Sequence, residues 1–203
     1  MTTPLHAAIR RCGPAAALTV DHEIHEAHSE AAICIETWTA TLRSPTGDRL
    51  GYATGDRVTW GDEYLDDVLD DVYRVCDEED GDLADVVVRS LGYAHGDPSS
   101  FFYLARVEIA PAYRGLGLGQ WIAAELIGRL GDDVLVTLVA GFPEGSPNAH
   151  TPAELAAVDR LVAGLPLERL GATRVFSKVI GRGAAEQALR TATGRILGIE
   201  AVA

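Results

Sequence analysis

Basic residues, cysteines and long apolar runs are all scarce in this 203-residue chain. Seventeen Lys and Arg stand against 30 Asp and Glu, a formal net charge of -13. A surface so short of cations has no basic stripe with which to displace counterions from phosphates, which argues against a nucleic-acid partner. The three cysteines, Cys12, Cys34 and Cys76, are odd in number and never form a CxxC pair. That spacing suggests neither a disulfide framework nor a structural zinc site, and no metal is assigned. No apolar run reaches the roughly 18 residues of a membrane span, and the first eleven residues lack the basic start and apolar stretch of a leader. The expected setting is therefore the cytoplasm, with no membrane partner.

What the chain does have is an ordinary globular mixture, 47% hydrophobic and 23% charged. Its length fits one domain by the yardstick of about 150 residues. The excess of acid is local: residues 62–85 carry twelve Asp and Glu against the single base Arg74. Such a segment is either a solvated helix face or an attractor for a cationic partner. Residues 1–30 show no clear periodicity and read as an irregular arm or one short helix, leaving a single domain over 31–203. Residues 31–43 alternate like a strand, 44–48 (SPTGD) form a turn cluster, and 50–60 return as the second strand of a hairpin. An amphipathic helix follows Asp62, with Leu65, Val68, Leu69, Val72, Tyr73 and Cys76 on one face, and a shorter helix runs over 82–91.

Residues 101–110 are a rich strand, ended by Pro111, which has no N–H to give a ladder. The sequence RGLGLG (114–119) comes next, then a helix with Leu118, Ile122, Leu126 and Leu130 on one face, closed by Gly131. Residues 134–140 (VLVTLVA) are almost wholly apolar, as in a strand covered on both faces, so strand, helix and strand read as a parallel unit with a right-handed crossover. Thr151, Pro152 and Glu154 form a capping box that opens a helix to about Ala163, and 173–180 is a strand. The tail from Gly181 is weakly patterned. The fold class is thus mixed α/β: a central mixed sheet with a parallel strand-helix-strand unit and helices on both faces.

The turn at 114–119 is where chemistry is expected. A glycine-rich turn between strand and helix leaves the first helical N–H groups pointing outward and adds the positive end of the helix dipole. Gly115, Gly117 and Gly119 have no Cβ to keep a pyrophosphate off those amides, and Arg114 adds a fixed charge. A P-loop is excluded because Gln120 and Trp121 follow Gly119 where Lys and Ser/Thr are needed. The dinucleotide fingerprint fails too, with Gln120 and Ile122 where its third glycine would fall.

Arg114-Gly115-Leu116-Gly117-Leu118-Gly119 resembles the Q/R-x-x-G-x-G/A loop of the GNAT superfamily of acyl-coenzyme A dependent N-acyltransferases. The preceding VEIAPAY (107–113) is similar to that family's hydrophobic strand with a proline before the loop. The resemblance runs over 104–130, continues more loosely to Ala140, and returns over 167–180. It implies the GNAT fold and acetyl-CoA, or another acyl-CoA, as cofactor. It also implies that the backbone of Val107 and Ile109 pairs with the pantetheine arm, and that the amides of Arg114, Gly115, Leu116, Gly117, Leu118 and Gly119 take the pyrophosphate. A main-chain N–H near Val107 would be placed to stabilise the oxyanion of a tetrahedral intermediate.

The chain departs from the family at its proton handlers. The places where a glutamate base is common hold Phe101 and Tyr103, the position of the usual tyrosine acid holds Leu167, and that of a frequent asparagine holds Arg160. Glu108 and Tyr103 are the catalytic candidates left on the strand. Alternation puts Glu108 opposite Val107 and Ile109, where a salt bridge with Arg106 is the competing role, and puts Tyr103 on the face of Val107, where a core aromatic is the competing role. His22, His25 and His28 would share a helix face suited to a metal if the arm were helical, and His95 and His150 sit in loops. Three readings follow. The first is an N-acetyltransferase acting on a primary amine of a cationic small molecule or protein, with edge strands that would support a homodimer. The second is a non-catalytic acyl-CoA-binding sensor or scaffold. The third is an α/β protein whose glycine turn only packs helix on sheet.

Overall fold

A computed structural model of the chain describes residues 18–24, 33–44, 46–61, 70, 73, 86, 90, 91, 98–131, 133–139, 151–170 and 175–197. The alternating segments form β2 (Ile33–Arg43) and β3 (Arg49–Trp60), an antiparallel hairpin closed by Gly47 at φ 90°. The strand before the glycine turn is β4 (Ser100–Ile109), the helix after it is α1 (Leu118–Gly128), and the apolar run is β5 (Val134–Val139). β4 and β5 pair in parallel, so the expected strand-helix-strand unit is present. Helix α2 (Pro152–Val162) opens on the expected capping box, with Glu154 N–H donating to Thr151 Oγ1 and Thr151 N–H donating back to the Glu154 carboxylate. The short β6 (Glu168–Arg169) and β7 (Val175–Ile180) complete the far edge.

Two elements differ from expectation. Part of the arm is a strand, β1 (Leu18–Ile24), antiparallel to β2 and mostly exposed. The tail is a 16-residue helix, α3 (Arg182–Leu197), whose Ala185, Ala188 and Ala192 are buried against α1. Small side chains at those spacings give close helix packing with little hydrophobic signal, because alanine has little area to bury.

The sheet runs β1-β2-β3-β4-β5-β7-β6. One face carries the larger core: Leu42, Leu50, Phe102, Leu104 and Val136 pack against Leu118, Trp121, Ile122 and Leu126 of α1. The other carries Ile33, Ile35, Val58, Phe101 and Leu135 beneath Val86 and Leu91, so the sheet is covered on both sides, as expected. Most of the acidic helical segment (62–91) lies outside the described residues. Within it Asp70, Tyr73, Val86, Ser90 and Leu91 are helical; Val86 and Leu91 are buried, while Tyr73, expected on the apolar face, is exposed. No helix among the described residues is long and apolar enough to cross a membrane.

Candidate functional site

The loop after β4 begins with a 3-10 turn over Pro111–Tyr113, and Arg114 N–H is spent on Pro111 O at 3.4 Å. Gly115 and Gly117 then take φ of 79° and 81°, the left-handed region in which a Cβ meets the following carbonyl. These two glycines are dictated by backbone conformation. Gly119 is not: it sits in α1, and a Cβ there would lie 3.5 Å from Val107 Cγ1 and 3.7 Å from Ile109 Cγ1, an ordinary contact.

The first bond of α1 runs from Trp121 N–H to Gly117 O, so the amides of Leu118 and Gly119 precede the helical ladder. The N-cap residue is Gly117, which has no side chain to cap this N-terminus. Among the described residues a Cβ on Gly115 would meet nothing within 4 Å, so the loop is open at that residue. Leu118 and Trp121, each 1% exposed, pin the first turn into the core; burying side chains of that size is worth about 1.5–3 kcal/mol each. The amides are therefore held in place before any ligand arrives. Arg114 Nε donates to Ile109 O at 2.9 Å, fixing its charge beside the end of β4. Gln120, in the same turn, donates its side-chain amide to the carbonyls of Arg160 and Leu161, tying the end of α2 to the loop.

Strand β4 changes course halfway along. Its ladder with β5 runs from Ser100↔Val134 to Tyr103↔Thr137 and stops, while β5 goes on pairing with β7 as far as Val139↔Val175. At the same level β4 bulges: Asp56 pairs with Tyr103 and Thr54 with Arg106, so Gly55 alone spans Leu104 and Ala105. Bulges bend the strand that carries them, and the result is a fork between β4 and β5. Beyond it, Ala110 N–H bonds Leu50 O toward β3, so backbone alternation turns the N–H and C=O groups of Val107 and Ile109 toward the fork.

The bulge also corrects one expectation. Simple alternation puts Tyr103 on the face of Val107, but the extra residue reverses the sides. Val107 and Ile109 pack on the α1 side, whereas Tyr103 packs with Phe101 on the opposite side. Glu108 lies opposite Val107, as expected, and so shares the face of Tyr103. Its carboxylate accepts from Tyr52 Oη at 3.1 Å and from Arg106 at 2.7 Å, the salt bridge weighed as its competing role. The Tyr52 hydrogen bond, aided by Arg106 and Arg49, holds the Glu108 carboxyl below the usual range. Desolvation and the same bond push the Tyr52 phenol up. A carboxylate made less basic and already bonded to two donors is poorly suited to accept a proton.

Leu167, at the position of the usual acid, is half-buried against the α1-side core. His22 lies on a strand, its ring stacked on Trp38 with centroids 5.0 Å apart; His25, His28, His95 and His150 lie outside the described residues. Cys34 is half-buried with its thiol pushed up by burial, while Cys12 and Cys76 lie outside the described residues. Two features escape a reading of the sequence, the fork and the polar side chains beside it; their signal is Gly55, where a Cβ would come within 2.4 Å of both the Phe102 ring and Tyr103 O.

No protein-family model matches the chain, and no curated protein matches it. Among solved structures, arylalkylamine N-acetyltransferase 2 from Aedes aegypti is similar, with 14% identity over 70% of this chain and 73% of that one and a TM-score of 0.39. A likeness of that size fixes neither family nor chemistry.

Proposed function

We propose that the chain is a GNAT-type N-acyltransferase that moves an acetyl group from acetyl-CoA to a primary amine. One observation carries the reading: a helix N-terminus with a glycine N-cap, approached through two left-handed glycines, stands at the end of a strand that forks from its parallel neighbour. The open space at Gly115 fits a pyrophosphate on the amides of Leu118 and Gly119, with Arg114 alongside. The fork fits the pantetheine arm, met by the outward N–H and C=O of Val107 and the N–H of Ile109, whose C=O already accepts from Arg114. When bound, acetyl-CoA would supply the acyl group and a thiolate that can leave. The chain's own part is to hold the thioester near the bulge, exclude water with Val107, Ile109 and Leu161, and steady the developing oxyanion with a main-chain N–H near Val107. The acidic balance of the chain supports a cationic acceptor.

The test is coenzyme A release against a panel of primary amines, with the calorimetric affinity for acetyl-CoA measured alongside, for wild type, Gly115→Asp and Gly115→Asn. Asp and Asn both tolerate the left-handed region and differ there only in charge. The Asp variant should lose acetyl-CoA affinity at least about tenfold more than the Asn variant, because a carboxylate would face the pyrophosphate. Equal affinity in the two variants contradicts the reading.

A further inference from the structure

On the sheet face away from α1, two neighbouring layers have opposite character. In one, Ile35, Val58, Phe101, Leu135 and Val179 stand opposite one another across five strands. Two residues further along each strand the layer reads Thr37, Asp56, Tyr103, Thr137 and Ser177, with no apolar residue except the body of the tyrosine. Tyr103↔Thr137 is the last rung before the fork, so the polar layer lies level with its mouth.

Thr137 and Ser177 are 0% and 4% exposed, and Thr137 interrupts an otherwise apolar strand. Their hydroxyls meet at 2.7 Å. Two O–H groups share that one bond, so the pair has a second proton to donate elsewhere, and burying it in a valine-like site would be unfavourable. Next to Tyr103, Asp56 is half-buried, and Thr37 Oγ1 donates to its Oδ1 at 2.8 Å, which fixes the carboxylate in direction. Glu108, on the same face, is held by Tyr52 and Arg106.

We propose that Asp56 receives the ammonium group of the acceptor and takes the proton that frees its nitrogen for attack, with the acceptor approaching the half-buried Thr37, Asp56 and Tyr103 end of the polar layer on the face opposite α1. This rests on the acyltransferase reading. The ammonium gives one proton to Asp56; the nitrogen forms a C–N bond to the acyl carbon as the thioester C–S bond breaks. A second nitrogen proton goes to the departing thiolate, and Asp56 returns its proton to solvent. The products are amide, thiol and one proton.

The test uses two amines of similar size: ethylamine, almost wholly an ammonium ion at neutral pH, and 2,2,2-trifluoroethylamine, largely unprotonated there. Asp56→Asn should slow transfer to ethylamine by about 100-fold or more, the usual range for loss of a general base, and slow transfer to trifluoroethylamine by less than about tenfold. A readout apart from turnover is the calorimetric affinity for spermidine in the coenzyme A complex, which should fall about tenfold in the variant. Acetyl-CoA affinity should stay within about twofold. If Asp56→Asn does not fold, Thr37→Val serves, with a smaller loss again confined to ethylamine. Wild type that does not bind acetyl-CoA defeats the acyltransferase reading and this proposal with it. Wild type that binds acetyl-CoA but acylates neither amine defeats transfer to amines and this proposal with it, whereas an active wild type whose variant slows both amines equally or neither overturns the role of Asp56 alone.

Discussion

The same chemical change two residues apart should move stability in opposite directions. Gly117 caps α1 at φ 81°, ψ 1°, a conformation that costs an L-residue about 1–2 kcal/mol, so Gly117→Ala should destabilise by that amount. At about 2–4 °C per kcal/mol for a domain of this size, the melting temperature should fall by roughly 2–8 °C. Gly119 is helical, and its added methyl would touch Val107, Ile109 and Leu161 at 3.5, 3.7 and 3.9 Å, close enough to bury it and too far to strain it. Gly119→Ala should therefore gain about 0.5–1 kcal/mol from the restricted unfolded chain. Urea unfolding followed by tryptophan fluorescence gives both values, with an unchanged slope showing that the same surface is exposed. Two shifts of the same sign would refute the loop geometry on which the site depends.

Gly55→Ala should destabilise by about 1–3 kcal/mol and weaken acetyl-CoA binding, because its Cβ would collide with Tyr103 O, a backbone atom at the bulge that cannot swing away. Denaturant melts and calorimetry on the same preparation check both effects. Tyr52→Phe should raise the Glu108 pKa toward its ordinary value, read by carbon NMR of the carboxyl. Because folding lowers that pKa, the stability it contributes is present above the unfolded value and lost as pH falls through the folded one. The advantage of wild type over Tyr52→Phe should accordingly shrink on acidification.

The parts of the fold written in local pattern are legible in the sequence itself. The β2–β3 hairpin, the β4–α1–β5 unit and the Thr151 capping box each rest on residues close along the chain. β1 is not legible, because an edge strand with five of its seven residues exposed has no buried face to impose alternation. Nor is α3, because its fully buried positions are alanines, with Leu189 only partly buried beside them. The loop can be read letter by letter, down to the two glycines that take positive φ. Alternation assigns Tyr103 to the wrong face because nothing in SFFYLARVEI announces an extra residue; the reason for the bulge lies on the partner strand, at Gly55. The polar layer is hidden for a related reason: Thr37, Asp56, Tyr103, Thr137 and Ser177 come from five strands, and register alone brings them together.

The most direct measurement is calorimetric titration of acetyl-CoA into the wild-type protein, with desulfo-coenzyme A, which keeps the pyrophosphate and lacks the sulfur, as a second ligand. Saturable binding of both, one molecule per chain and lost in Gly115→Asp but not in Gly115→Asn, is the predicted result. No heat of binding from a folded protein would contradict the account at its centre.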